Sequence, residues 1–257
     1  MALDFMLPVG QQIVGQGALA VTNLFGTTQG DVSLGAFRVE CTNTGTNVIQ
    51  GDAILSDFRI ANQSVFCSNG TAFPAAALQS NVQAADFIVG VTLAAGTNVQ
   101  YQITGGAAAG GYDVAGYICT DPILPGELPN GAAAGDFALS DIALLYPLNP
   151  AVVPAAVGGQ VVMQAICNRT CTLGKLFLTD ATNANGLSIT SLLVGGEEQL
   201  AQSTVVGLPI SAFSPLATLN DGDMDINKVI TPGESVQITI QNQTAVAATV
   251  IGGIYCK

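Results

Sequence analysis

The run from Asn220 to Asn227 sets Asp221, Asp223 and Asp225 at alternate positions. Carboxylates at that spacing are hard oxygen ligands of the kind that gather around calcium. A complete EF-hand loop beginning at Asp221 needs Gly at its sixth place and Glu at its twelfth, where this chain has Ile226 and Pro232. The three aspartates therefore keep half of a calcium pattern, and a solvated acidic loop is the plainer expectation. Glu197 and Glu198 form a second acidic pair, after a predicted strand. Paired carboxylates can cleave glycosides, but nothing around this pair marks a cleft, and surface charge is expected.

Other chemistry is excluded by composition. The chain contains no histidine and no tryptophan, which removes the commonest general base, metal ligand and proton relay together. Ser–His and Cys–His nucleophiles cannot be assembled. The Gly-rich stretch Gly105 to Gly111 has no Lys-Ser/Thr after it and lies between two predicted strands, so it reads as a connecting loop rather than a phosphate cradle. We expect no enzyme, and no cofactor beyond the partial calcium site.

Six cysteines in 257 residues are too few for a disulfide scaffold. Two readings stand: small buried hydrophobes, or one cross-strand bridge per lobe, Cys41 to Cys119 and Cys167 to Cys256. Cys67 and Cys171 have no counterparts in the repeat described below. Asn-X-Ser/Thr triplets at Asn62, Asn69, Asn168 and Asn242 are expected by chance in a chain this rich in Asn and Thr. Six basic residues, scattered singly, stand against eighteen acidic ones, a net charge of −12. Phosphate neutralisation needs clustered Lys and Arg, so no direct sequence-specific nucleic-acid binding is expected. The first residues lack the basic start and apolar run of a secretory signal, and no apolar stretch reaches the ~20 residues of a spanning helix. Charged residues make up only 9% of the chain, a surface suited to packing against neighbours over much of its area.

These residues must be positioned by strands. Period-two alternation covers Val32 to Thr42, Ala53 to Ile60, Phe87 to Leu93, Val99 to Ile103 and Tyr112 to Cys119. It resumes in Gln160 to Cys167, Lys175 to Leu178, Leu187 to Val194, Val229 to Ile230, Val236 to Ile240 and Thr249 to Cys256. Single helical turns are predicted at Pro74 to Leu78 and Pro209 to Phe213. The chain also repeats itself: Gly96 to Cys119 aligns without a gap on Gly233 to Cys256. Fainter echoes pair Val39 to Asn43 with Ala165 to Arg169, and Gly51 to Ile60 with Gly186 to Val194. Prolines 122, 125 and 129 and the run Ala132 to Gly135 mark a boundary. The expected class is all-β, two tandem eight-stranded β-sandwiches with few short helices, divided as 1–120, a linker 121–135, and 136–257.

Two tandem β-sandwiches in a tryptophan-free chain rich in Gly, Ala, Thr and Asn resemble the double jelly-roll major capsid proteins of tailless icosahedral viruses, especially bacterial ones with an internal membrane. The stretch from Ile54 to Phe66, a strand and its return, is similar to one found early in each roll. The resemblance implies homotrimers whose six rolls make a pseudo-hexagonal capsomer, assembled in a host cytoplasm into the virion. It also implies lateral contacts with neighbouring capsomers, minor capsid or penton proteins, and an internal membrane beneath. Residues Met1 to Val9 would then extend towards that membrane or a neighbour, or form a first edge strand. The longest loops, Ser68 to Gln83 and Gln202 to Asn220, would hold only small elaborations. The rival reading is a β-sandwich spike or adhesin that holds carbohydrate or a receptor at its loop tips, with Tyr112, Tyr146, Phe73 and Phe213 as the aromatic candidates.

Overall fold

The computed structural model describes residues 5–16, 20–30, 32–43, 52–78, 91–106, 112–122, 145–180, 186–200, 207–215 and 225–256. Two compact units divide the chain. One holds Met1–Val65 and Leu78–Ile142, the other Phe66–Ala77 and Ala143–Lys257. The stretch Phe66–Ala77, although early in the sequence, thus belongs with the C-terminal half. Of the expected linker, Asp121 and Pro122 end a strand, and residues 123–135 lie outside the described residues.

The strands of the first unit are β1 (Phe5–Gln16), β2 (Val21–Thr27), β3 (Val32–Asn43), β4 (Ile54–Ile60) and β5 (Gln63–Ser64). After the intervening β6 (Phe73–Pro74), which lies in the second unit, come β7 (Val91–Leu93), β8 (Asn98–Thr104) and β9 (Tyr112–Pro122). One antiparallel sheet runs β1-β9-β3-β7 and the other β2-β8-β4-β5. Counting this unit's strands from one to eight, the sheets read 1-8-3-6 and 2-7-4-5. That order is the winding of a jelly roll, a double sheet built from two Greek keys.

The second unit contains β10 (Leu145–Pro147), β11 (Ala151–Val153), β12 (Gln160–Ile166), β13 (Cys171–Asp180) and β14 (Leu187–Val194). It continues with β15 (Glu197–Glu198), β16 (Leu208–Pro209), β17 (Asp225–Ile230), β18 (Ser235–Asn242) and β19 (Ala248–Cys256). One sheet is β10-β19-β13-β17 with β11 also on β19, and the other is β12-β18-β14-β15 with β16 also on β14. With β10 and β11 sharing the first place and β15 and β16 the fifth, this is again 1-8-3-6 and 2-7-4-5. The all-β class with two eight-stranded sandwiches is therefore observed, and the two predicted helical turns are 3-10 turns at Ala75–Leu78 and Ile210–Phe213.

The gapless repeat occupies the seventh and eighth strands of each unit. Gly96 and Gly233 turn into them at φ of 84° and 91°. Along β8 the inward residues are Val99, Tyr101 and Ile103; along β18 they are Val236, Ile238 and Ile240, and all six are buried. Strict alternation of this kind gives each strand one face for the core and one for solvent. Burying such a side chain contributes on the order of 1.5–3 kcal/mol. In the first unit Phe58 and Tyr101, paired across β4 and β8, place their rings 4.6 Å apart. The echo between Gly51–Ile60 and Gly186–Val194 falls on the fourth strand of each unit.

The echo between Val39–Asn43 and Ala165–Arg169 is corrected by the structure. Cys41 lies in the third strand of its unit, whereas Cys167 follows the second strand of the other. Short polar-apolar runs recur in any alternating sequence, and five residues do not fix a register.

Candidate functional site

Two of the three aspartates in the calcium pattern, Asp221 and Asp223, lie outside the described residues. Asp225 opens β17 opposite Lys175 of β13. The acidic pair is structural. Glu197 and Glu198 form β15, the return of a hairpin from β14. Glu197 is ion-paired with Lys228. Glu198 accepts hydrogen bonds from Ser191 Oγ at 2.5 Å, Leu192 N at 2.9 Å and Leu200 N at 3.1 Å. Slight desolvation opposes its charge, but these donors outweigh it and hold the carboxyl below its ordinary pKa. Both carboxylates thus serve the exposed hairpin through these contacts. The loop that begins at Gly105 joins the seventh strand to the eighth, with no helix after it.

The aromatic candidates for a binding surface are mostly core. Tyr146, Phe73 and Phe213 are buried, and Tyr146 donates its hydroxyl to Ala165 O at 2.7 Å. Tyr112 opens β9. Among the described residues Phe25 is an exposed aromatic, 66% accessible on β2. Beside it a recess of about 250 Å³ is lined by Arg59, Asn62, Asn98 and Gln100, among others. Sequence reasoning passed over Phe25 because its strand, β2, lies in a stretch to which no element was assigned.

Of the four Asn triplets, Asn242 is buried and used by the fold. Its amide donates to Pro154 O and to Val246 O, both at 2.7 Å, and its oxygen accepts from Thr244 N at 2.9 Å. Around this loop the second unit exposes Val152, Val157 and Val246, each more than half accessible.

The cysteines are arranged differently from either proposed bridge. Across β3 and β9 the partner of Cys41 is Val114, while Cys119 sits opposite Met6 of β1, so Cys41 and Cys119 are not cross-strand neighbours. Cys167 and Cys256 are separate thiols. The neighbour of Cys256 is Cys67, with the two sulfurs 3.1 Å apart, and Cys171 lies beside both. Cys67 reaches this place because Phe66–Ala77 is laced into the second unit. Cys67 N donates to Leu145 O, Asn69 N to Ile166 O, and Asn168 N to Cys67 O, each at 2.9 Å. The sequence carried one local sign of the cluster, the spacing of Cys167 and Cys171, but none that Cys67 joins them.

The strand orders define an all-β protein of two jelly-roll units. No family model and no curated protein matches the chain. Among solved structures it is similar to the major capsid protein P2 of bacteriophage PM2, at 8% identity over 99% of this chain and 98% of that one, with a TM-score of 0.44. Among the described residues no helix is long and apolar enough to cross a membrane.

Proposed function

We propose that the chain is the major structural protein of an icosahedral viral shell, a double jelly roll that assembles as a homotrimer. The observation that carries this reading is the identical 1-8-3-6 and 2-7-4-5 strand order in both units of one chain. Two like units per chain make six per trimer, which approximates a hexagon while closing its own interfaces. Such tiles cover a surface by lateral contact. The sparse charge of the chain and the exposed valines at the Asn242 end of the second unit support contacts of that kind. In this reading the partners are neighbouring capsomers, penton or minor capsid proteins and an underlying membrane, and the location is the virion, assembled in the host cytoplasm. A membrane between shell and genome is compatible with a net charge of −12. The test is light scattering and electron microscopy of the purified chain: trimers that form hexagonal arrays or shells support it, and a stable monomer at all concentrations overturns it.

Phe25 and its recess favour a second reading, a surface protein that holds carbohydrate. An exposed ring beside guanidinium and amide groups can stack on and hydrogen-bond a sugar. Glycan-array binding by a monomer, lost in Phe25→Ala, would favour this reading over the shell.

A further inference from the structure

Thiols from distant parts of the sequence meet in the core of the second unit. The sulfurs of Cys67, Cys171 and Cys256 all lie within 4.8 Å of one another, and all three residues are buried. Cys67 comes from the Phe66–Ala77 stretch, Cys171 begins β13, and Cys256 ends β19. Cys167 is also buried, outside that trio, with its thiol donating to Arg169 O at 2.8 Å. A tetrahedral zinc ion with Zn–S bonds of about 2.3 Å places its sulfurs roughly 3.8 Å apart. That separation falls between the 3.1 Å of the Cys67–Cys256 pair and the 4.8 Å that bounds the trio.

We propose that Cys67, Cys171 and Cys256, completed by Cys167, bind one structural zinc ion. Cys167 and Cys171 have the close spacing usual for a ligand pair on one turn, and the other two ligands come from separate segments. Four protein ligands in a buried position leave no open coordination site, so the ion's role is to hold the fold and not to catalyse.

On binding, each ligating thiol gives up its proton to solvent and forms one Zn–S bond, leaving a four-thiolate centre with two negative charges. A disulfide would use two of the four sulfurs and would need an external oxidant.

The full chain, reduced and stripped by a chelator, is equilibrated with zinc alone and desalted under reducing conditions. Elemental analysis is expected to find about one zinc per chain, with a melting temperature above that of the stripped protein. Cobalt in place of zinc should give intense thiolate-to-metal charge-transfer absorption. Cys171→Ser and Cys67→Ser should each lose the zinc, while Cys41→Ser, in the first unit, should keep it. Folded, reduced wild-type protein that retains no zinc overturns the proposal, as does Cys171→Ser that retains a full equivalent. If the serine variants do not fold, the wild-type cobalt spectrum decides, and absence of charge-transfer bands overturns it. A Cys67–Cys256 disulfide in freshly isolated, zinc-free protein has the same consequence. None of these outcomes bears on whether the chain builds a shell.

Discussion

Ala61 and Gly195 occupy the same place in the two units, the first residue of the two-residue loop between the fourth and fifth strands. In the first unit Ile60 pairs with Gln63 across Ala61 and Asn62, which take φ of 50° and 65°. In the second, Val194 pairs with Glu197 across Gly195 and Gly196, at 59° and 82°. Positive φ at both positions is what a two-residue type I′ hairpin requires, because its twist matches that of the strands. Glycine enters this region without penalty, whereas alanine there costs roughly 1–2 kcal/mol. Part of that cost is offset by the greater freedom of unfolded glycine, about 0.5–1 kcal/mol. Ala61→Gly should therefore stabilise the first unit by about 0.5–1 kcal/mol, read as a higher urea midpoint at unchanged slope. A lower midpoint would contradict the equivalence of the two loops.

The stretch Phe66–Ala77 is fastened at its far end by Tyr255, whose hydroxyl donates to Ala77 O at 2.5 Å. The ring of Tyr255 stacks on Phe73, centroids 5.5 Å apart, and meets Phe177 edge-on at 4.6 Å. Tyr255→Phe keeps these ring contacts and strands a buried carbonyl. The expected loss is about 1–3 kcal/mol, with cleavage after residue 78 by a protease at low dose rising in parallel. Unchanged stability would mean that water replaces the hydroxyl.

Alternation made most of the strands readable from sequence, because each buries one face: the inward Val236, Ile238 and Ile240 announce themselves at period two. The gapless repeat also fixed which strands correspond. β1 and β2 were less accessible; β2 mixes Val21 and Phe25 with Asn23 and Thr27 on its exposed face and turns Thr22 inward, so its alternation is blurred. The short β10, β11, β15 and β16 are two or three residues long, below what periodicity resolves. The thiol cluster depends on a segment entering the unit formed by a distant part of the chain, and no local pattern encodes that. Paired positions in the repeat drew attention to Cys41, Cys119, Cys167 and Cys256, while the non-repeated Cys67 and Cys171 complete the cluster.

Asn242 organises the loop between the seventh and eighth strands of the second unit through two donated and two accepted hydrogen bonds, the latter from Thr244 N and Thr244 Oγ. It is fully buried, so truncation leaves the Val246 carbonyl without this donor and removes one of two donors from Pro154 O, which keeps Ala156 N at 2.8 Å. Asn242→Ala should cost on the order of 3 kcal/mol and speed amide exchange at Gly158, whose N–H is bonded to Asn242 O at 2.7 Å. Exchange at Cys41, in the other unit, should not change. A glycan attached to Asn242 would require the same bonds to break, so mass spectrometry of protein from a glycosylating host should find this triplet unmodified.

Glu198 makes the stability of the second unit depend on pH. Its carboxylate carries the Ser191, Leu192 and Leu200 donors, which hold its folded pKa below the ordinary 4.5. A depressed pKa means that the unfolded chain binds the proton first as pH falls. The stabilisation is therefore complete above the unfolded value and is lost as pH drops through the folded one. Glu198→Gln keeps an acceptor but not the charge, and its side-chain amide cannot receive all the donors at once. The melting temperature of the wild type should exceed that of Glu198→Gln at neutral pH. The gap should narrow steadily below the ordinary carboxylate pKa, down to the acid limit of folding. Melting curves of the two proteins at matched ionic strength measure it, and a gap that stays constant into the acid range would show that the carboxylate contributes through shape alone.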